Sequence, residues 1–258
     1  MAEAEKNTGI LLGNVAARLR DELSLLYLAG RNLVPSESRA SAYFEQSRLR
    51  VTRLARNMET GAALMRGEAF ERENEDIVGL ISDVCEGAAD LAGYLKISLT
   101  FQCMEEAHIC AVHAEYMRQL TYHLLSNALK SAAPGGHVRV SLRFPKAEGR
   151  VLLSASDDGS GIAADRLPAL FDDFRRDGRG GMGLPICKRI AEGHGGFIAA
   201  KSKLGKGSEF TLSIPDEAKK TVKFRRPDFH VPDGGIHPAL LWLSDALPPE
   251  AFQIGDSL

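Results

Sequence analysis

The chain has no histidine before His108, one tryptophan, Trp242, and four cysteines without a CxxC pair among them. The scattered cysteines, Cys85, Cys103, Cys110 and Cys187, each sit among apolar neighbours. That arrangement argues against a zinc site and for small core residues with reduced thiols. No window reaches the roughly 18 uninterrupted apolar residues that a membrane span needs, and the opening MAEAEKNTG lacks a basic region followed by an apolar run. A cytoplasmic location is therefore expected, with no membrane partner. A formal net charge of -2 supplies no broad attraction for nucleic acid or anionic lipid, a local basic patch at Lys219 to Arg226 aside. Nucleic acid is not an expected partner.

What is present suits a folded protein: 258 residues, 44% hydrophobic and 26% charged, enough for one large domain or two smaller ones. From Ile10 to Leu33, Leu12, Val15, Leu19, Leu23, Leu26 and Leu33 fall near one helical stripe. Asn32 to Ser38, with Pro35, reads as a turn, and Phe44, Val51, Leu54, Met58 and Leu64 continue a second seam near heptad spacing. The pattern predicts an antiparallel helical hairpin over residues 1–67. Two helices bury little alone, whereas two hairpins close a four-helix bundle, so a homodimer is expected. A hairpin packed only on its own C-terminal domain is the plainer alternative.

After the charged stretch Arg66 to Asp76 the pattern becomes mixed. Helices are expected at Ile77 to Tyr94, Glu115 to Ser131 and Leu184 to Glu192. Extended runs are expected at Ile97 to Cys103, His108 to Val112, His137 to Phe144, Val151 to Ser156, Gly196 to Lys201 and Ser208 to Ile214. The fold class is thus α+β: the hairpin, then a two-layer α/β sandwich over residues 68–217. Residues 218–258 form a polar, proline-rich extension whose one apolar piece, Pro238 to Leu247, holds Trp242.

Three segments bear chemistry. In YHLLSNALKSA, residues 122–132, Leu124, Leu125 and Ala128 can face a core while Asn127 and Lys130 share another face. An amide oxygen suits Mg²⁺ and a lysine one turn on can neutralise phosphates; the solvated side of a helix is the plainer reading. In SASDDGSGI, residues 154–162, a strand runs into Asp157, an acceptor for an adenine amine, beside Gly159 and Gly161; a polar turn fits equally well. In GRGGMGLPICKRIAEGHGG, residues 178–196, glycines precede a helix and can bare backbone N–H groups to a phosphate.

Taken in order, these segments resemble the catalytic, ATP-binding domain of histidine kinases, within the wider family that includes gyrase, Hsp90 and MutL. The likeness runs from about Asp76 to Pro215. It implies that Asn127 binds Mg²⁺, with Lys130 beside it, and that Asp157, Gly159 and Gly161 form the DxGxG adenine site. By the same resemblance Phe171 and Phe174 are the phenylalanine box, Gly181, Gly183 and Leu184 open the second glycine box, and HGG at His194 and GKGSEF at Gly205 follow. ATP and Mg²⁺ are the implied cofactors, held under a mobile lid. A response regulator or other signalling protein is the implied partner.

The sequence departs from the pattern in places. About six residues separate Phe174 from Gly181, which leaves a short lid, and Arg179 stands where glycine is usual. His123 occupies a position where these kinases often have asparagine; a contact to Mg²⁺ or its water and a plain helix-surface histidine are both open. Asn14 to Leu23, NVAARLRDEL, resembles the phosphoacceptor segment but puts Ala17 at the acceptor histidine, Arg18 at the neighbouring acid and Glu22 at the usual proline. Alanine offers no nucleophile, so a homologue that cannot phosphorylate itself at the customary place is expected. A protein kinase acting on a separate chain, and a non-catalytic scaffold or phosphotransfer adaptor, are the alternatives.

Overall fold

Ser38 begins the first complete helix: its hydroxyl accepts from the Ser41 N–H at 3.1 Å, and α1 runs over Arg39–Arg66 until Gly67, at φ 65, closes it with N–H bonds to Ala63 and Leu64. In the computed structural model the described residues are 8, 12–17, 19–20, 23, 38–67, 70–171, 182–220 and 237–252. Residues 12–17 and 19–20 are helical and run antiparallel to α1, since Gly13 lies by Ala62 and Arg66 while Arg20 pairs with Glu59 at 2.6 Å. The described stretches are helical and antiparallel, as in the expected hairpin; its expected turn at Asn32 to Pro35 lies outside the described residues.

One face of α1 is a surprise. Leu54 is exposed, as are Val15 and Leu19, whereas the inward face carries Ala42, Gln46, Leu49, Arg53 and Asn57. These positions recur at helical spacing, but three of the five, Gln46, Arg53 and Asn57, are polar, so no apolar stripe marks the face in the sequence. Their partners explain the burial: Asn57 accepts from Gln119 at 3.2 Å, and the Gln46 amide donates to the Leu247 carbonyl at 2.6 Å.

Beyond Gly67 the charged stretch does more than separate two parts. Glu73–Asp76 is a short strand, β1, which the sequence reading missed because its four polar, half-buried side chains show no alternation. Further along, α2 spans Ile77–Gly93, β2 Ser98–Cys103 and β3 Ile109–Val112. β1 pairs antiparallel with β3, and Asp76 then caps α2 by accepting from the Val78 N–H at 3.1 Å. Next come α3 (Ala114–Ser131), β4 (His137–Arg143), β5 (Arg150–Asp157), α4 (Gly183–Gly193), β6 (Phe197–Ser202), β7 (Ser208–Pro215) and α5 (Pro238–Trp242).

The main sheet has the order β2-β4-β5-β7-β6, with β2 parallel to β4 and every other neighbour antiparallel. Val138, Val140 and Leu142 alternate on β4, Val151, Leu153 and Ala155 on β5, and Phe210, Leu212 and Ile214 on β7, and all are buried. A period of two puts each set on one face of the sheet. Ile77, Ile81 and Val84 of α2, Met117, Leu120, Leu124 and Leu125 of α3, and Ile186 and Ile190 of α4 supply the facing layer. Each such side chain contributes roughly 2 kcal/mol by leaving water. The result is the expected α+β fold. Its central strand β5 delivers Asp157 at its C-terminal end beside the end of α3. Among the described residues no helix is long and apolar enough to cross a membrane.

Candidate nucleotide site

Asp157 ends β5 at 9% exposure, and the loop after it turns tightly under the end of α3. Its Oδ1 accepts from the Gly159 N–H at 3.0 Å, and hydrogen bonds from the Ser131 side chain and the Ser208 backbone reach the same carboxylate. Burial raises the pKa of this carboxyl, and those three donors oppose the shift. Glycine is required twice in the loop. A Cβ at Gly159 would overlap the Ser131 carbonyl, and Gly161, at φ 65, would drive one into the Lys203 carbonyl. Further bonds stitch the loop in place, from Ser160 N–H to Ser131 O at 3.2 Å and from Gly205 N–H to Ser160 O at 2.7 Å. The GKGSEF segment thereby supports the floor of the same loop.

Ser131 also joins the first and second sequence segments. It lies one helical turn, about 6 Å of rise, beyond Asn127 on α3, so the helix that carries Asn127 ends on the residue that bonds Asp157. Asn127 is half-buried, whereas Leu124, Leu125 and Ala128 face the core as the periodicity implied. Lys130 is 40% exposed in its side chain, and its ammonium donates to Asp245 Oδ2 at 2.6 Å.

His123 is not a helix-surface histidine. It is 1% exposed, walled by Trp242 edge-on at 5.5 Å and by Gly183, where a Cβ would stand 3.0 Å from its Nδ1. Helical spacing alone put it among polar positions; the covering comes from the far end of the chain, which local sequence does not encode. Arg53 Nη2 lies 3.5 Å from Nδ1, and the buried Nε2 has no hydrogen-bond partner among the described residues. Burial first, then the charges of Arg53 and Lys130, push its pKa down to about 3, so the ring is neutral.

Phe174, and Gly178 to Gly181 of the third segment, lie outside the described residues. Gly183 and Leu184 open α4 without a side-chain cap, Leu184 packing on the core and Gly183 lying against His123 of α3. Phe171 meets Phe210 edge-on at 6.3 Å. His194 ends α4 with its Nδ1 on the Ile190 carbonyl at 2.8 Å while its Nε2 accepts from the His113 N–H at 3.0 Å. Burial lowers its pKa to about 4.

Sequence reasoning overlooked Arg53, Ser126 and Asp245. The Asp245 carboxylate receives Lys130 on one oxygen and, on the other, the Ser126 hydroxyl at 2.9 Å together with the Arg53 guanidinium. Burial would raise its pKa, but the charges of Arg53 and Lys130 and the hydrogen bonds from Lys130 and Ser126 outweigh it and hold the carboxyl below its ordinary range. The one signal available in advance was a lone acid within the apolar Pro238 to Leu247 piece. Among the described residues, no group of three or more His, Cys, Asp or Glu could hold a metal ion.

Residues 113–218 match the family described as Histidine kinase-, DNA gyrase B-, and HSP90-like ATPase. The chain is 32% identical over 225 residues to Sensor protein DivL of Caulobacter vibrioides, across 84% of this chain and 29% of that protein. It is 29% identical over 228 residues to Sensor histidine kinase ZraS of Klebsiella oxytoca, across 83% of this chain and 48% of that protein. The chain thus spans less than half the length of either relative. The crystal structure of full-length ShkA in complex with AMPPNP shares the fold, with a TM-score of 0.64 at 22% identity over 81% of this chain and 46% of that one. The chain carries an ATP-binding domain of the histidine kinase-, DNA gyrase B- and HSP90-like ATPase family, of the histidine-kinase type found in two-component sensor proteins.

Proposed function

We propose that this protein binds Mg-ATP and acts in two-component-type signalling, as a homodimer, on or through a partner such as a response regulator, without phosphorylating its own hairpin. The observation that carries the binding reading is the Ser131 junction. One residue ends the helix bearing Asn127 and Lys130, bonds Asp157, and abuts the Gly159 loop. The donor set fits the ligand: an amide oxygen at Asn127 for a hard cation, an ammonium at Lys130 for phosphate, and a carboxylate acceptor at Asp157 for the adenine amine. Gly159, Gly161, Gly183 and Leu184 would shape the cradle around the nucleotide. His123, neutral and buried, is read as a support for this wall and not as a metal ligand.

The signalling reading rests on the hairpin. Val15, Leu19 and Leu54 are exposed apolar residues, the kind of seam a second copy would cover. At the position that resembles the phosphoacceptor stands Ala17, a half-buried helical residue with no nucleophile. Phosphoryl transfer, where it occurs, then has to end on another protein; with Lys130 engaged by Asp245, a scaffold that uses the domain for binding is the second reading. Incubation with γ-labelled ATP, alone and with a response regulator, tests the proposal. We expect no acid-labile label in residues 1–65 of this chain. Strong labelling of that hairpin would overturn the assignment of Ala17.

A further inference from the structure

The C-terminal residues 237–252 cover the helix that bears Asn127, and they are held there by apolar burial and by hydrogen bonds from α1. Ala239 and Leu243 are fully buried, and Trp242 stacks over Tyr122 at 6.5 Å. The Gln46 amide donates to the carbonyls of Leu247 at 2.6 Å and Ser244 at 3.4 Å, and Arg50 Nε donates to the same Ser244 carbonyl at 3.0 Å. From this anchored segment Asp245 reaches the residues on either side of Asn127, namely Ser126 and Lys130. Its other charged partner, Arg53, comes from the hairpin.

We propose that this segment is an autoinhibitory latch: the Asp245 carboxylate holds Lys130 and Ser126 in the place of a nucleotide phosphate, so Mg-ATP and the latched tail compete for one helix face. The inference rests on the reading of Asn127 and Lys130 as nucleotide ligands. A carboxylate and a phosphate both present anionic acceptor oxygens to an ammonium and a hydroxyl, so the same donors serve either. Two anions crowded at one lysine repel each other, and the stronger claim on Lys130 by one is a weaker claim by the other. Because Arg53 bonds the same carboxylate, displacement of Asp245 also removes a tie between α1 and the nucleotide-binding domain. Nucleotide arrival would in this way be reported to the hairpin.

Two loosened variants and one optical signal test the latch in the full chain. Asp245→Asn removes the competing charge; Gln46→Ala removes a tail anchor without altering any proposed nucleotide ligand. Calorimetric titration with Mg-ATP should show each variant binding more tightly than wild type, by about tenfold for Asp245→Asn, the scale of one charge-assisted hydrogen bond. In wild type, Trp242 is the only tryptophan, and Mg-ATP should shift its emission to longer wavelength while adenosine, which lacks phosphates, should leave it unchanged. Equal or weaker Mg-ATP binding in the loosened variants overturns the latch, and weaker binding would assign Asp245 to the nucleotide site itself. If Asp245→Asn fails to fold, Gln46→Ala and the wild-type emission decide. When Asp157→Asn loses binding that wild type has, the nucleotide site stands even if the latch falls. When neither wild type nor the loosened variants bind Mg-ATP, both readings are refuted together.

Discussion

Mild acid should destabilise this protein through two buried neutral histidines. His123 has its pKa depressed from 6.5 to about 3 and His194 from 6.5 to about 4, burial being the first cause in each case. In His194 both ring nitrogens are committed, Nδ1 to the Ile190 carbonyl and Nε2 to the His113 N–H, so a proton on Nε2 would replace an acceptor with a donor facing a donor. Below pH 6.5 the unfolded chain takes up these protons and the native chain does not. Stability therefore falls as the pH drops from about 6.5 towards the native values, and is fully present above 6.5. Between pH 7 and pH 5 each histidine costs up to roughly 2 kcal/mol, about 4 kcal/mol together, since one pKa unit is worth about 1.4 kcal/mol. That is a large share of the roughly 5–15 kcal/mol that holds a domain folded. Urea unfolding followed by Trp242 emission should show the midpoint fall by about 1–2 M between these pH values, with the slope m unchanged. His194→Gln should be less stable at pH 7 and should flatten this dependence by about half. A wild-type midpoint that stays constant from pH 7 to pH 5 would refute the neutral, buried assignment of both rings.

Gly159→Ala should lower the melting temperature by several degrees, because its Cβ overlaps the Ser131 carbonyl and the backbone must yield at a cost of about 1–3 kcal/mol; calorimetry giving an unchanged melting temperature would mean that the loop does not pass under Ser131. Leu19→Glu or Leu54→Glu should convert the proposed dimer to monomers with the ATP-binding domain still folded, since both residues are exposed within one chain. Light scattering that reports a wild-type monomer at micromolar concentration would refute the seam.

The sandwich was legible in the sequence wherever period and punctuation coincided. Val138, Val140 and Leu142 on β4, and Leu124, Leu125 and Ala128 on α3, fall where alternation and helical spacing put them. β1 was illegible because Glu73 to Asp76 is held by backbone pairing to β3, which leaves no mark on side-chain type. The candidate site was legible as three motifs, yet its surroundings were not. His123 is buried by Trp242, which is more than a hundred positions away, and Arg53 is buried because Asp245 answers its charge. Long-range pairing of this kind reads locally as a surface arginine and a surface histidine, and only the packed chain distinguishes them.

Whether Asp157 anchors a nucleotide in this domain is tested by calorimetry of Mg-ATP binding in wild type and in Asp157→Asn. The substitution turns an acceptor-only carboxylate, already bonded by Gly159, Ser131 and Ser208, into an amide that is partly a donor. Wild type should show measurable Mg²⁺-dependent binding and the variant a loss of about a hundredfold, the scale of a hydrogen bond to a charged group left unmade in a buried site. Equal affinity in the two proteins would contradict it.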